Sequence, residues 1–130
     1  MPTEFTVTLR NTPGALAELG LALGRKGINI EALQSMSFQH KSVLHLVVND
    51  PDAATRELEE YGLPFHTREV FVVDVHDEPG TLGEIAEAIA QAGVNIDSAY
   101  LTADRRVILG VSDLARATQI VASLPPSARG

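Results

Sequence analysis

At 130 residues the chain has room for one ordinary domain or two very small ones, and its 45% apolar fraction can build a core that is almost free of aromatics, at 5% with no Trp. A net charge of −7 with no basic run argues against a nucleic-acid backbone site, Arg105-Arg106 reading as a solvated turn. The lack of Cys excludes disulfide and thiol chemistry, no apolar run of about 18 residues is present for a membrane helix, and "MPTEFTVTLR" lacks the basic and apolar regions of a secretory signal, so a cytoplasmic location is expected.

The first predicted element is a strand in which Phe5, Val7 and Leu9 alternate with Thr6, Thr8 and Arg10. Pro13-Gly14 breaks it and opens a helix, with Pro13 expected in the first turn, where no N–H is needed. Leu16, Leu19 and Leu23 fall on one face of that helix, and Gly27 ends it in a left-handed conformation. A second strand is expected over 28–37, then a turn at "QHK", then a third strand through Leu44, Leu46 and Val48. Asp50-Pro51-Asp52 caps a second helix reaching about Tyr61, with Ala54, Leu58 and Tyr61 as its apolar positions. "LPFHTREV" reads as a fourth strand running almost directly into the next segment.

That next segment repeats the first. Aligning residue i with i+66 over 5–33 gives ten identities, among them Phe5/Phe71, Pro13/Pro79, Gly14/Gly80, Leu16/Leu82, Gly27/Gly93, Asn29/Asn95 and Ile30/Ile96. Phe71, Val73 and Val75 alternate with Val72, Asp74 and His76 as a strand; Leu82, Ile85 and Ile89 mark a helix face, with Gly93 at its end; strands follow at 94–102 and through Val107, Leu109 and Val111. Past the hairpin the offset drops to 63, pairing Asp50 with Asp113, so three residues are lost, by expectation from the turn. The closing helix carries Ala117, Val121 and Leu124. "SLPPSARG" has no strand pattern, so 125–130 is expected to fray and the second sheet to lack a clear last strand, leaving an edge for a partner. The division expected is 1–69 and 70–130. A domain of about 65 residues buries only about 60% of its unfolded surface, so the halves should lean on each other or on another chain.

Strand–helix–strand–strand–helix–strand with "[ND]xPGxL…GxNI", written twice, resembles a stand-alone tandem ACT domain protein. The resemblance implies an α+β fold of two ferredoxin-like βαββαβ modules, each an antiparallel sheet with helices on one face. It also implies a regulatory, non-catalytic role: binding a small amino-acid-like metabolite where modules meet, acting on a regulated enzyme partner, and homodimerising. An Asn in the strand–helix loop and an Asn in the Gly-x-Asn-Ile stretch would contact the ligand; Asn11, Asn29 and Asn95 match, and Asp77 stands in the remaining place.

Elementary chemistry supports the loop independently. The first N–H groups of a helix are unpaired and attract a carboxylate, worth about 0.3–1 kcal/mol when exposed. The candidate ligand-binding residues are Asn11, Pro13, Gly14, Ala15, Leu16, Asn29 and Ile30, then His76, Asp77, Pro79, Gly80, Thr81, Leu82, Asn95 and Ile96, with the two asparagines of Gly-x-Asn-Ile expected near the same end of the fold as the loops. The same residues have plainer uses: Pro-Gly as a turn, Asn at a helix end, Asp77 as a helix-start carboxylate. Four scattered His without Cys give no metal-ligand spacing, and Ser35 and Ser37 have no activating base, so no metal, cofactor or catalytic residue is expected. Two alternatives stand: an interaction scaffold with vestigial sites, and a small ferredoxin-like enzyme for which Asp74, His76 and Asp77 would be the only cluster.

Overall fold

A computed structural model describes residues 2–125 of the chain. It divides into two compact units, Thr3–Arg68 and Glu69 onward, the latter together with Pro2. The elements of the first are β1 (Thr3–Arg10), α1 (Ala15–Arg25), β2 (Ile30–Phe38), β3 (Lys41–Val48), α2 (Pro51–Tyr61) and β4 (Phe65–Glu69). Those of the second are β5 (Phe71–Val73), α3 (Thr81–Gln91), β6 (Ile96–Leu101), β7 (Val107–Val111) and α4 (Leu114–Ala122). The fold is α+β, built of ferredoxin-like units.

The first sheet has the order β2-β3-β1-β4, with β3 antiparallel to both β1 and β2. Phe5, Val7 and Leu9 line up with Leu46, Leu44 and Ser42, and their apolar side chains meet Leu19 and Leu23 of α1 and Ala54 and Leu58 of α2. The second sheet has the order β5-β7-β6; among the described residues it has no fourth strand. Its core joins Phe71, Val73, Val107 and Leu109 to Ile85 and Ile89 of α3 and Ala117 and Val121 of α4. The repeat extends to irregularities. The register shifts between Ile30 and Ala32 in one sheet and between Ile96 and Ser98 in the other.

The helix ends follow local chemistry. Asp50 accepts from the Ala53 amide at 3.1 Å and Asp113 from the Arg116 amide at 3.0 Å, each satisfying one orphan donor. At the other end of α1 the Ile28 amide returns to the Leu23 carbonyl at 3.0 Å across a left-handed Gly27, and Val94 does the same to Ile89.

Several expectations need correction. Pro13 and Pro79 precede their helices instead of entering the first turn. Thr12–Ala15 and Glu78–Thr81 are type II turns, with Pro second, Gly third at φ 87° and 89°, and the fourth amide bonded back to the first carbonyl. Leu16 and Leu82 are 48% and 44% exposed; the buried positions are Leu19, Ala22 and Leu23, and Thr81, Ile85 and Ile89. Tyr61 is also exposed, and Glu57 is buried on the α2 face instead. The fifth strand stops at Val73, short of Asp74, Val75 and His76, because its partner β7 begins only at Val107 and offers nothing beyond to pair with. The three residues lost from the second copy come from strand, not turn: β2 and β3 have nine and eight residues, β6 and β7 six and five, while the connecting turn grows. The second strands begin at Ile30 and Ile96, two residues later than expected. The expected fray at 125–130 concerns residues that, after Pro125, lie outside those described.

Candidate functional site

In the first unit the candidate loop runs from Asn11 to Leu16. Asn11 is clipped to the β2–β3 turn twice, its backbone amide donating to His40 O and its side-chain Nδ2 to Gln39 O, both at 2.9 Å. The turn then delivers the chain into α1 with donors to spare. Ala15 donates to Thr12 and Glu18 to Gly14, but the amides of Gly14, Leu16 and Ala17 meet no acceptor among the described residues. A Cβ built on Gly14 would touch nothing within 4 Å, so glycine serves here for its left-handed φ and leaves the approach open. Beside the loop lies a cavity of about 360 Å³ between α1 and α2, lined by Arg10, Thr12, Pro13, Gly14, Ala15, Glu18, Leu19, Ala22, Glu57, Leu58, Tyr61 and Leu63 among others.

The second loop repeats this plan with different chemistry. Glu78 donates to His76 O, Thr81 to Glu78 O and Glu84 to Gly80 O; the amides of Gly80, Leu82 and Gly83 again meet no acceptor among the described residues. Asp77 is tied to its hairpin turn by charge, accepting from Arg105 Nη2 at 2.6 Å on an exposed surface. Arg105, at φ 68°, aligns at the repeat offset with Gln39, at φ 56°. One position of the turn therefore tethers each loop, through a carbonyl in one copy and a guanidinium in the other. His76, Asp77, Gly80, Leu82, Leu101 and Arg105 line a cavity of about 490 Å³. Exposed ion pairs of this kind contribute about 0–1 kcal/mol, so Arg105 is free to trade Asp77 for another carboxylate.

Asn29 and Asn95 are elsewhere. Asn29 precedes β2, whose first residue pairs with Val48, whereas Asn11 follows Arg10, which pairs with Lys41 beside the hairpin turn. The seven strand steps from Lys41 to Val48 at about 3.3 Å each put Asn29 roughly 20 Å from Asn11 within one unit. This corrects the expectation that they share an end of the fold. The backbone of each asparagine is in a closed pair of hydrogen bonds, one to a side chain and one from a main-chain amide: Asn29 N donates to Asn49 Oδ1 and Asn49 N to Asn29 O, while Asn95 N donates to Ser112 Oγ and Ser112 N to Asn95 O. The following Ile30 and Ile96 pack against the two cores.

Next to Arg105, Asp104 accepts from Arg106 Nε at 3.0 and 3.1 Å. The Arg106 side chain, and after it the Thr102 hydroxyl, hold the Asp104 carboxyl below its ordinary 3.8. The folded chain therefore binds fewer protons here than the unfolded one. The stabilisation is fully present above about pH 3.8 and is lost as pH falls through the lowered folded value. Asp104→Asn is expected to melt slightly below the wild type near neutral pH, with the two Tm values converging in strong acid.

Sequence reading missed Glu57, Arg10 and Arg105 beside the loops, and the Asn49 and Ser112 partners. Arg105 could have been found by carrying the offset of 66 into the hairpin, where it falls opposite Gln39. No group of three or more His, Cys, Asp or Glu that could hold a metal occurs among the described residues, and no helix there is long and apolar enough to cross a membrane.

Residues 70–123 match the ACT domain family. No sequence match was found among curated proteins. Among solved structures, a protein from Bacteroides thetaiotaomicron superposes with a TM-score of 0.87 at 21% identity, over 98% of this chain and 94% of that one. The ligand-free regulatory subunit of aspartate kinase from Thermus thermophilus gives 0.67 at 17% identity, over 91% of each chain. The corresponding subunit from Thermus flavus gives 0.65 at 18%, over 94% of this chain and 92% of that one. These likenesses establish a shared fold that spans both units.

Proposed function

We propose that the chain is a regulatory subunit with two ACT-like modules, 1–69 and 70–130, that binds a small amino-acid-like metabolite and passes the binding state to a partner enzyme. One observation carries this reading. In each unit three amides at a helix start meet no acceptor among the described residues, those of Gly14, Leu16 and Ala17 in the first and of Gly80, Leu82 and Gly83 in the second, and Gly14 lines one cavity while Gly80, Leu82 and Gly83 line the other. Main-chain donors at a helix N-terminus suit a carboxylate. Pro13, Ala15 and Leu16, and Pro79, Thr81 and Leu82, shape those two loops; Asn11, or His76 with Asp77, flanks them. Asn29-Ile30 and Asn95-Ile96 lie at the far end of their own units from the loops, so the loops, not the Gly-x-Asn-Ile stretches, carry the proposed site, and a homodimer is part of the proposal. The ACT match and the fold shared with regulatory subunits of aspartate kinase support a role in amino-acid metabolism, in the cytoplasm.

Calorimetry of the full chain against the twenty amino acids is expected to find at least one ligand with micromolar to millimolar Kd, weakened in Gly14→Val and Gly80→Val. A free amino acid has few atoms to bind with, and regulation needs only about 1–3 kcal/mol of coupling. Absence of heat and of any thermal shift at millimolar concentration overturns the reading. It would leave an interaction scaffold, the role favoured by Met36, Phe38 and Val43, which stand exposed together on the sheet face away from the helices.

A further inference from the structure

Glu57 occupies a place where the fold elsewhere uses an apolar side chain. At the offset of 63 it corresponds to Ile120, which packs against the core of the second unit. Glu57 is only 7% exposed, one turn beyond Ala54 and next to Leu58 on the buried face of α2. Among the described residues no hydrogen bond or ion pair engages its carboxylate. Enclosing a carboxylate without a partner is costly, and a scaffold indifferent to that charge does better with the isoleucine of the other copy.

The carboxylate is not sealed in. It lines the cavity between α1 and α2 that also takes in Leu19, Ala22 and Leu58 and reaches the Gly14 turn and Arg10. A volume of about 360 Å³ is that of a small-molecule pocket, mostly apolar with a few polar groups that fix orientation. Two of the lining residues are acidic, Glu18 and Glu57, whereas Arg10 alternates with Leu9 along β1 and belongs to the sheet face opposite the helices. Arg25, Lys26 and Glu60 line a separate outer groove that shares Glu57 and Tyr61, where Arg25 Nη2 donates to the Tyr61 hydroxyl at 3.3 Å.

We propose that this cavity binds a small aliphatic amine, in its full form an aliphatic α-amino acid, with the ammonium on Glu57, the hydrocarbon on Leu19, Ala22 and Leu58, and the carboxylate toward the Gly14 amide. The assignment rests on the loop reading above and adds to it the ligand class and the partner of the ammonium. It also makes the two units unequal, since Ile120 offers an ammonium nothing.

The test is an NMR titration of the ¹⁵N-labelled full chain with three probes sharing one side chain: L-leucine, isopentylamine without the carboxylate, and 4-methylpentanoate without the ammonium. Leucine and isopentylamine are expected to shift the amides of Leu19, Ala22 and Leu58, with the amine binding once per chain, while 4-methylpentanoate leaves them in place. Glu57→Gln is expected to weaken both by about tenfold or more with a dispersed spectrum retained. Unliganded Glu57→Ile, copying the second unit, is expected to melt about 3 °C or more above the wild type. The proposal is overturned if 4-methylpentanoate shifts those amides as strongly as isopentylamine, if Glu57→Gln keeps full affinity, if no probe shifts them, or if Glu57→Ile melts lower. Leucine shifts confined to Gly14 and Leu16 and unchanged in Glu57→Gln would overturn this assignment alone, whereas failure of the twenty-amino-acid calorimetry would remove the loop reading beneath it.

Discussion

Leu23→Ala is expected to destabilise the first unit by about 2–5 kcal/mol, and Leu16→Ala by less than about 0.5 kcal/mol, although both leucines lie on the stripe that the sequence draws along one helix. Leu23 is buried within the cluster of Phe5, Val7, Leu44 and Leu46, so its truncation leaves a void that a close-packed layer closes only in part. Leu16 is half exposed in the first turn of α1. Helical side chains lean toward the N-terminus, so a residue in that turn projects past the helix start toward the loop instead of onto the sheet. The same contrast is expected for Ile89→Ala and Leu82→Ala in the second unit, where Ile89 is fully buried and Leu82 is not. Urea unfolding followed by far-UV circular dichroism measures all four, the chain having no Trp to report by fluorescence. Similar losses for Leu16 and Leu23 would show that the first turn packs as the periodicity suggests.

That contrast shows what was legible. Period and punctuation named the elements: Phe5, Val7 and Leu9 alternate as a half-buried strand must, and Asp50-Pro51 and Asp113 announce helix starts whose caps are present. Period cannot say where along its length a stripe leaves the core, which misplaced Leu16, Leu82 and Tyr61. Pro13-Gly14 fits two local answers, a helix with Pro in its first turn or a type II turn before it, and only the φ of Gly14 decides between them. The extent of β5 depends on how far β7 runs beside it, a pairing fact absent from residues 71–76. The sequence puts Asn29 where a helix ends and a strand begins but does not say at which end of the sheet, and the eleven residues of α1 carry the chain about 16 Å back down the sheet from Asn11. Glu57 was the reverse case, visible but unread. A charge on the helix face that also carries Ala54 and Leu58, opposite an isoleucine in the other copy, is a conflict between local pattern and fold, and such conflicts concentrate where a protein has something to bind.

Arg68→Met is expected to cost about 3 kcal/mol or somewhat more, a core-sized loss from a partly exposed side chain. Glu4 stands in β1 with no exposure at all, on the sheet face opposite the helices, and Arg68 of β4 donates to its Oε1 through Nε at 2.9 Å. His45 of β3 brings Nδ1 within 3.6 Å of the same oxygen and within 3.2 Å of Thr6 Oγ1. Removing the guanidinium therefore leaves a carboxylate out of water with a reduced set of partners, and the penalty is mostly that of the stranded charge, not the value of the ion pair. Two further variants separate these. Glu4→Gln alone removes the charge and is expected to cost less than Arg68→Met. The double variant Glu4→Leu with Arg68→Met is expected to recover at least half of the single loss, because a buried pair exchanged for apolar groups of similar size is often close to neutral. Urea unfolding of the wild type, the Glu4→Leu and Arg68→Met single variants and their double closes the cycle that gives the coupling energy. Additive losses, with the double variant the least stable of all, would mean that Arg68 acts through its packing along β4 and that the Glu4 carboxylate is satisfied without it.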